Sequence, residues 1–311
     1  MTEQCLADSG EPDSIEALAS VPSLAGTPRQ ITALPGGLTN QNFKVTTPDG
    51  VFVARVFSDG GELLAIDRDH EYQNSLIAAA AGVGAPVIEY CPADRVLVLG
   101  YIEGRTLTNA DVAEPAMLAR IAAACRRLHA ADRFIADFDM FEIQGRYYAT
   151  ATSAGMRIPD GYADLMPAFA AARRALSVRD EGTVPCNNDL LAANFIDDGD
   201  RIWLIDYEYS GNNDPCFELG NVAGECALDD DALAALVTAY YGRLRPNRVA
   251  RAKLFSLVAR YGWTLWGAIQ HASSELDFDF WSWAMERYDA ALAGFTSPEF
   301  DQLLTDVQAQ E

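Results

Sequence analysis

The sequence predicts an α+β protein of two lobes, a small β-rich N-terminal lobe and a larger, mainly helical C-terminal lobe. Apolar runs separated by turn signals dominate roughly the first hundred residues, and Ala-rich helical stretches dominate the remainder. The length of 311 residues also exceeds what one small core requires. We therefore predict an N-terminal lobe over residues 29–102 and a C-terminal lobe over 103–311, preceded by a partly flexible leader over 1–28.

The N-terminal lobe is predicted to be a small sheet with one helix. The turn residues TPDG separate two β-rich runs, which indicates a hairpin. The stretch DRDHEYQNSLIAAAAGVG has Asp at its start, helix formers inside and Gly at its end, and these features define one helix. The predicted strands cover 42–46, 51–57, 86–90 and 96–101.

The C-terminal lobe changes to helical periodicity. Short apolar runs flank one polar loop, PCNNDLLAANFI, and otherwise interrupt a series of Ala-rich segments. The predicted helices cover 111–131, 162–176, 230–242, 248–273 and 279–293.

Composition restricts the class of partner. The chain has 23 Lys and Arg against 45 Asp and Glu, a formal charge of 23 − 45 = −22, which argues against nucleic acid and an anionic membrane as partners. A small cationic substrate would be attracted, although acidic surfaces also simply aid solubility.

The sequence predicts a soluble, cytoplasmic protein with reduced thiols. Its six cysteines are scattered without CxxC spacing, and it has no signal-peptide pattern and no apolar run of membrane-spanning length. The oligomeric state is not predicted.

The polar loop and the strand after it carry the first candidate site. Asp189 lies five positions before Asn194, and an apolar strand ending in Asp206 follows. A carboxylate can orient an acceptor hydroxyl, and amide and carboxylate oxygens are ligands that Mg²⁺ prefers. A solitary loop Asp is usually a cap or turn residue, but the three together suit phosphoryl transfer from ATP.

The N-terminal lobe supplies candidates for phosphate binding. The turn PGGLTNQNF contains Gly36, Gly37, Thr39 and Asn40, whose backbone N–H groups can approach phosphate oxygens, although a Gly pair in a hairpin is most often only a turn. Arg55 in the strand FVARVF is a candidate cation for the phosphates, and Glu71 in the following helix is its candidate partner. A chance surface pair is the commoner explanation for two such residues.

Four segments in order give the chain a resemblance to a known family. They are GGLTNQNFKV with VFVARVF, then NNDLLAANF, then LIDYEYSGNNDPCFELGNVAGE, and finally YGWTLWGAIQHASSELDFDFWSWAMERYDAAL. Together they resemble the choline/ethanolamine kinase family, within the protein-kinase-like group that includes aminoglycoside phosphotransferases. The resemblance implies a protein-kinase-like fold, with ATP in the cleft and its adenine against a hinge at Gly100, Tyr101 and Ile102.

The resemblance also implies roles for individual residues. Asp189 matches the catalytic base, Asn194 and Asp206 match the Mg²⁺ ligands, Arg55 matches the phosphate-binding position and Glu71 matches its partner carboxylate. His129 fits a helix common to these enzymes and is predicted to be structural rather than catalytic.

The last helices bear on the acceptor. Trp263 and Trp266 lie three positions apart and share a helix face, which is most often plain core. Ring faces with a nearby carboxylate are, however, also what a quaternary ammonium requires. By resemblance these two residues match the choline-cage tryptophans, so choline is the predicted substrate, with ethanolamine, a methylated analogue or thiamine as alternatives. The resemblance also implies that Trp283 is a further cage aromatic, that Glu225 lines the pocket and that Phe280 lies near a family aromatic position. The predicted substrate contacts are therefore Asp189, Glu208, Glu225, Trp263, Trp266, Phe280 and Trp283.

Two departures from the family pattern leave another class of function open. Asn187 stands where the family has His in its HNDL loop, and Glu218 stands where it usually has Asp. A protein that binds choline or nucleotide without turnover is therefore the alternative to an active kinase. The presence of Asp189, Asn194, Asp206 and Arg55 favours the enzyme. Glu218 is expected to brace the catalytic loop in spite of its extra methylene.

Overall fold

The N-terminal lobe is a five-stranded antiparallel sheet with two helices, one before the first strand and one between the third and fourth strands. The computed structural model describes residues 12–58, 60–179 and 182–310, so residues 1–11 of the predicted leader lie outside the described residues. Helix α1 (Pro12–Ser20) precedes the sheet, and Leu18, Val21 and Leu24 are buried in the core of this lobe. The strands are β1 (Gln30–Leu34), β2 (Asn40–Thr47), β3 (Gly50–Phe57), β4 (Val87–Cys91) and β5 (Val96–Gly100), in the order β1-β2-β3-β5-β4.

The strand register brings the phosphate-binding candidates together. Strands β2 and β3 pair antiparallel with Asn42 opposite Arg55, so the turn before β2 and the arginine on β3 lie at one end of the sheet. Helix α2 (Arg68–Ala80) follows, and the Asp67 side chain caps it by accepting a hydrogen bond from the His70 N–H group. Glu71, in the first turn of α2, is buried.

The C-terminal lobe is mainly helical, as predicted. Two short sheets interrupt the helices and surround the polar loop. The helices are α3 (Asn109–Val112), α4 (Pro115–His129), α5 (Met140–Ser153), α6 (Met166–Ser177), α7 (Pro215–Glu225), α8 (Asp230–Tyr241), α9 (Pro246–Ser273), α10 (Phe280–Phe295) and α11 (Phe300–Asp306). The strands are β6 (Arg105–Thr106), β7 (Val184–Cys186), β8 (Phe195–Asp197), β9 (Ile202–Leu204) and β10 (Gly211–Asn213).

The predicted two-lobed fold is confirmed, and the errors are local. The helix predicted over 111–131 is divided at Pro115, because proline favours the first position of a new helix and cannot continue the previous one. The segment 162–165 forms a 3₁₀ turn before α6. Helix α5 was not predicted, because its Gly145 and its β-branched and aromatic residues weaken the helical pattern.

Three elements position the cleft between the lobes. The polar loop joins β7 to β8, and β9 leads directly to Asp206. Helix α9 has 28 residues, packs against α5, α7 and α10, and is buried along most of its length. Among the described residues no helix is both long and apolar enough to cross a membrane, and the five described cysteines are free thiols.

Candidate functional site

A cleft of about 410 Å³ lies between the two lobes and gathers most of the predicted site residues. Residues that line it come from the turn before β2, from β3, from the hinge after β5, from the polar loop and from α7, α9 and α10. The predicted residues among them are Gly36, Gly37, Thr39, Arg55, Glu71, Gly100, Tyr101, Ile102, Asp189, Asn194, Asp206, Glu208, Glu225, Trp263, Trp266 and Trp283.

Glu218 braces the polar loop through hydrogen bonds to its backbone, as expected for this position. It is fully buried on α7, and its carboxylate accepts hydrogen bonds from the backbone N–H groups of Asn187 (2.9 Å) and Asn188 (2.7 Å). Asn188 has a φ of 67°, a conformation that asparagine tolerates better than most residues. The extra methylene of Glu218 relative to Asp is therefore compatible with bracing the loop.

Asn187 links the loop to the strand end that carries Asp206. Its side-chain amide donates to the carbonyl oxygens of Ile205 (3.2 Å) and Asp206 (2.7 Å), and its Oδ1 accepts from the Asp189 N–H group (3.1 Å). Because Asp206 has a φ of 65°, its backbone needs such external support. An amide at position 187 thus ties the two acidic residues of the site together.

Replacing Asn187 by Ala is expected to lower both stability and turnover. The change leaves the Asp189 N–H and the Asp206 carbonyl without their partner, which costs about 2 kcal/mol in free energy of unfolding and roughly tenfold in kcat through misplacement of Asp189. Urea unfolding and steady-state kinetics measure the two effects. Asn187→His, which retains one donor and restores the family residue, is the matched control and should lose less. A full kcat in Asn187→Ala would show that this link does not position the site.

Asp189 lies at the centre of a group of acidic residues. Burial raises its pKa well above the ordinary range, and the negative charges of Glu225, Asp206 and Glu208 raise it further, while the Arg287 guanidinium acts in the opposite direction. A cation that enters the cleft would lower this pKa and favour the carboxylate form. The arrangement therefore couples the basicity of Asp189 to the presence of positive charge in the cleft.

Asn194 and Asp206 present the oxygen donors that a magnesium ion prefers. The Asn194 side-chain N–H₂ donates to the Asp189 carbonyl (2.7 Å), which leaves its Oδ1 as the atom able to bind a metal. Asp206 accepts from Arg55 through Oδ1 only, and its side chain is 23% exposed. A carboxylate and an amide oxygen on one wall of the cleft fit a hard divalent cation.

Arg55 joins the two lobes through a buried ion-pair network. Its Nη1 lies 2.7 Å from Glu71 on α2 and 2.6 Å from Asp206 in the C-terminal lobe. Burial alone would lower the pKa of Arg55, but Asp206, Glu71 and Glu208 raise it overall, so the guanidinium stays charged. The predicted pair of Arg55 with Glu71 is confirmed by this contact, and Asp206 is a further partner.

Arg68 is a second cation of this network and was not identified from the sequence. Its Nη1 lies 2.7 Å from Glu71 and 3.1 Å from Glu208. The sequence contains little indication of this role, because an arginine next to the helix cap at Asp67 is typical of a surface position. Glu71 is therefore shared between two arginines.

Glu208 contacts the Gly-rich turn instead of extending toward the tryptophans. Its carboxylate accepts from the Thr39 hydroxyl (2.9 Å) and the Asn40 side-chain amide (2.9 Å). Burial, together with Asp206 and Glu71, raises the pKa of Glu208 to about 7, although Arg68 and Arg55 oppose the shift.

Gln270 on α9 also contacts the Gly-rich turn. Its side-chain amide donates to the Leu38 carbonyl (3.0 Å), a contact that no local sequence pattern indicated.

Aromatic rings line the end of the cleft beyond Asp189. The Trp266 and Trp283 ring centroids lie 5.0 Å apart, and those of Tyr209 and Trp263 lie 4.9 Å apart. The Trp266 indole N–H donates to the Tyr209 hydroxyl (2.7 Å), and the Trp263 indole N–H donates to Asn221 (3.4 Å). Because both indole donors are used internally, these rings present apolar surface and π faces to the cleft.

Two residues depart from the sequence interpretation, and a third agrees with it. Tyr209 was missed, although it lies in the quoted run LIDYEYS directly after Glu208. Phe280 is 2% exposed and packs against Trp266 with ring centroids 5.9 Å apart, so the structure places it behind Trp266 rather than on the cleft wall. His129 is buried, and its Nδ1 lies 2.7 Å from the Tyr240 hydroxyl, consistent with the structural role predicted for it.

Comparison with known proteins gives consistent matches. The family described as choline/ethanolamine kinase matches residues 31–241. Mouse ethanolamine kinase 2 is 29% identical over 265 residues, which cover 76% of this chain and 68% of that relative. A crystal structure of a choline/ethanolamine kinase family protein from Mesorhizobium loti superposes with a TM-score of 0.83 and 32% identity, covering 95% of this chain and 99% of the other.

The fold is also shared with a more distant enzyme. Choline kinase LicA from Streptococcus pneumoniae superposes with a TM-score of 0.74 at 24% identity, covering 86% of this chain and 93% of that structure.

Proposed function

The chain belongs to the choline/ethanolamine kinase family, and from that premise we propose that it transfers the γ-phosphate of ATP to the hydroxyl group of choline. As a family member it is an ATP-dependent phosphotransferase that acts on an alcohol. The observation that supports choline as the substrate is the ring-lined end of the cleft beside Asp189. This end is formed by Tyr209, Trp263, Trp266 and Trp283. Ring faces attract a methylated ammonium without requiring hydrogen bonds from it.

The cleft residues divide the chemical task. In the proposed mechanism Asp189 accepts a hydrogen bond from the choline hydroxyl and aims its oxygen at the γ-phosphorus. As the new O–P bond forms, Asp189 takes the hydroxyl proton, the bond between the γ-phosphorus and the β,γ-bridging oxygen breaks, and ADP leaves. Arg55 and the backbone of the turn at Gly36 and Gly37 hold the phosphates, and the residues 100–102 of the hinge contact the adenine. The lobe over 29–102 would thus bind the nucleotide, and the lobe over 103–311 would supply catalysis and the acceptor pocket.

The donor set also supports a metal. Asn194 and Asp206 would hold Mg²⁺, and the bound ion would neutralise charge on the phosphates during transfer. Arg55 contacts Asp206, so the residue proposed to bind phosphate lies next to a residue proposed to bind the metal.

Turnover across four acceptors tests the proposal. ADP release is measured with Mg²⁺ and choline, ethanolamine, thiamine or an aminoglycoside, and choline is expected to give the highest kcat/KM. Ethanolamine is the main competitor, because a curated relative is named an ethanolamine kinase. Choline binding without turnover on any acceptor would support the binding-protein alternative and overturn the proposal.

Replacing Trp283 by Leu should weaken choline specifically. Leucine keeps apolar volume but removes a π face, and loss of about 1.4 kcal/mol of cation–π attraction corresponds to a tenfold rise in KM for choline with little change in KM for ATP. Trp281→Leu is the matched control, because Trp281 lies two positions away and contacts His271 and Arg157 instead. Equal effects of Trp283→Leu on both KM values would assign this ring a purely structural role.

A further inference from the structure

A guanidinium occupies the acceptor end of the cleft beside the proposed cation cage. Arg287 on α10 lines the cleft and forms an ion pair with Glu225, whose side chain is 6% exposed. The Arg287 guanidinium carbon lies 3.3 Å from the centre of the Trp283 ring, and Nη1 lies 3.4 Å from the Trp283 carbonyl. One side chain therefore contacts both the predicted acidic residue of the pocket and one of its rings.

The ion pair changes what Glu225 can offer to a substrate. One carboxylate oxygen, Oε2, is bonded to Arg287, and the positive charge beside it offsets the charge of the carboxylate. Nε of Arg287 is buried with no hydrogen-bond partner among the residues that the structure describes. Because buried ion pairs contribute little net stability, the main effect of this pair is on the electrostatics of the pocket.

Two candidate substrates respond differently to a neutralised carboxylate. A primary ammonium loses hydrogen bonds to water when it enters the pocket and needs acceptors to replace them. A quaternary ammonium donates no such bonds and is satisfied by ring faces and apolar contact. The indole N–H groups of Trp263 and Trp266 are donors, so these two rings offer a primary ammonium no acceptor, whereas the Glu225 carboxylate does.

We propose that Arg287 is a specificity-determining residue, which engages Glu225 and fixes the Trp283 ring so that the pocket favours a quaternary over a primary ammonium. The inference rests on the proposed function of this site and adds the residue that sets its preference for choline over ethanolamine. Removal of Arg287 would free the carboxylate to accept from a primary ammonium and would loosen a ring that contacts methyl groups. Both effects lower the preference for choline.

The ratio of kcat/KM for choline to kcat/KM for ethanolamine tests the inference. Arg287→Met keeps an apolar stem over Trp283 and removes the charge, and we expect it to lower this ratio about tenfold, which corresponds to ~1.4 kcal/mol. Arg260→Met is the matched control. Arg260 lies near the same carboxylate but donates to the Gly224 carbonyl (3.1 Å), and its loss should leave the ratio unchanged.

Different outcomes separate this inference from the proposed function. If the wild-type protein turns over neither substrate, the proposed function fails. If the wild type is active and a folded Arg287→Met variant keeps the wild-type ratio, the specificity role is wrong. Should Arg287→Met not fold, Arg287→Lys decides: lysine keeps the charge but cannot lie flat on the ring, so we expect a smaller fall in the ratio, and no fall overturns the inference.

Discussion

Asp189→Asn is expected to abolish turnover and, at neutral pH, to make the protein more stable. The amide cannot accept the proton of the acceptor hydroxyl, and loss of a general base lowers kcat by about 10²–10⁴-fold. The same change removes one charge from a cluster that includes Glu225, Asp206 and Glu208. Nucleotide binding should remain close to wild type, because the phosphate contacts proposed for Arg55 and the Gly-rich turn are unchanged.

The pH dependence of the stability gain follows from the raised pKa of Asp189. In the unfolded chain this carboxyl titrates near its ordinary value of about 3.9, whereas burial and the neighbouring carboxylates raise its pKa in the folded protein. Above the folded pKa the wild type carries the full cost of the charge, about 1.4 kcal/mol for each unit of the shift. The advantage of Asp189→Asn is therefore largest there, shrinks as pH falls through the folded pKa, and disappears below the unfolded pKa.

Urea unfolding of both proteins across this pH range, in metal-free buffer, measures the difference. Asp277→Asn is the control, because it removes a carboxylate of the same type from an exposed connection between α9 and α10. An Asp189→Asn protein that keeps wild-type kcat would identify another residue as the base. A stability difference that does not vary with pH would mean that packing, not charge, separates the two proteins.

Local patterns predicted the parts of the site that lie close together in the sequence. Asp189, Asn194 and Asp206 belong to one loop and the strand end after it, so their spacing alone brought them together. Arg55 and Glu71 lie 16 positions apart, and the sequence linked them as a strand cation and a carboxylate in the following helix. Composition and periodicity likewise predicted the two lobes, since a change from apolar runs to helical repeats extends over many residues.

Contacts between distant segments could not be predicted in this way. Arg287 and Glu225 are 62 positions apart, and Gln270 and Leu38 are 232 apart, so only the packed fold brings each pair together. Phe280 shows the opposite error, because a residue that is close in sequence to the cleft-lining aromatics need not point into the cleft. The direction in which α10 packs against α9 decides that Trp283 and Arg287 face the cleft while Phe280 supports Trp266 from behind.

Arg55→Met is expected to be the most destabilising change in the cleft. Arg55 is buried between Glu71 and Asp206, and removing one partner of a buried ion pair leaves uncompensated charge, at a cost of about 3–5 kcal/mol in free energy of unfolding. Methionine fills a similar volume, so the loss reports charge rather than a cavity. Urea unfolding at neutral pH measures the effect.

Arg68→Met provides the matched comparison, because Arg68 bonds the same Glu71 at the same distance of 2.7 Å. Its side chain is 17% exposed, against 7% for Arg55, and Arg55 still neutralises Glu71 when Arg68 is removed. A smaller loss of stability is therefore expected. Equal losses in the two variants would show that Glu71, and not the link between lobes through Asp206, determines the cost.

Kinetics of these variants separate the structural effect of Arg55 from its proposed contact with phosphate. Asp206 lies on the C-terminal lobe and Glu71 on the N-terminal lobe, so Arg55 contacts both walls of the cleft in which ATP is proposed to bind. Arg55→Lys keeps a charge but not the two-sided geometry of the guanidinium, and should recover part of the stability. If Arg55 binds phosphate, this variant still raises KM for ATP at least tenfold while KM for choline changes little. If both KM values rise together, the arginine acts by holding the lobes in register, and phosphate binding must be assigned to the Gly-rich turn.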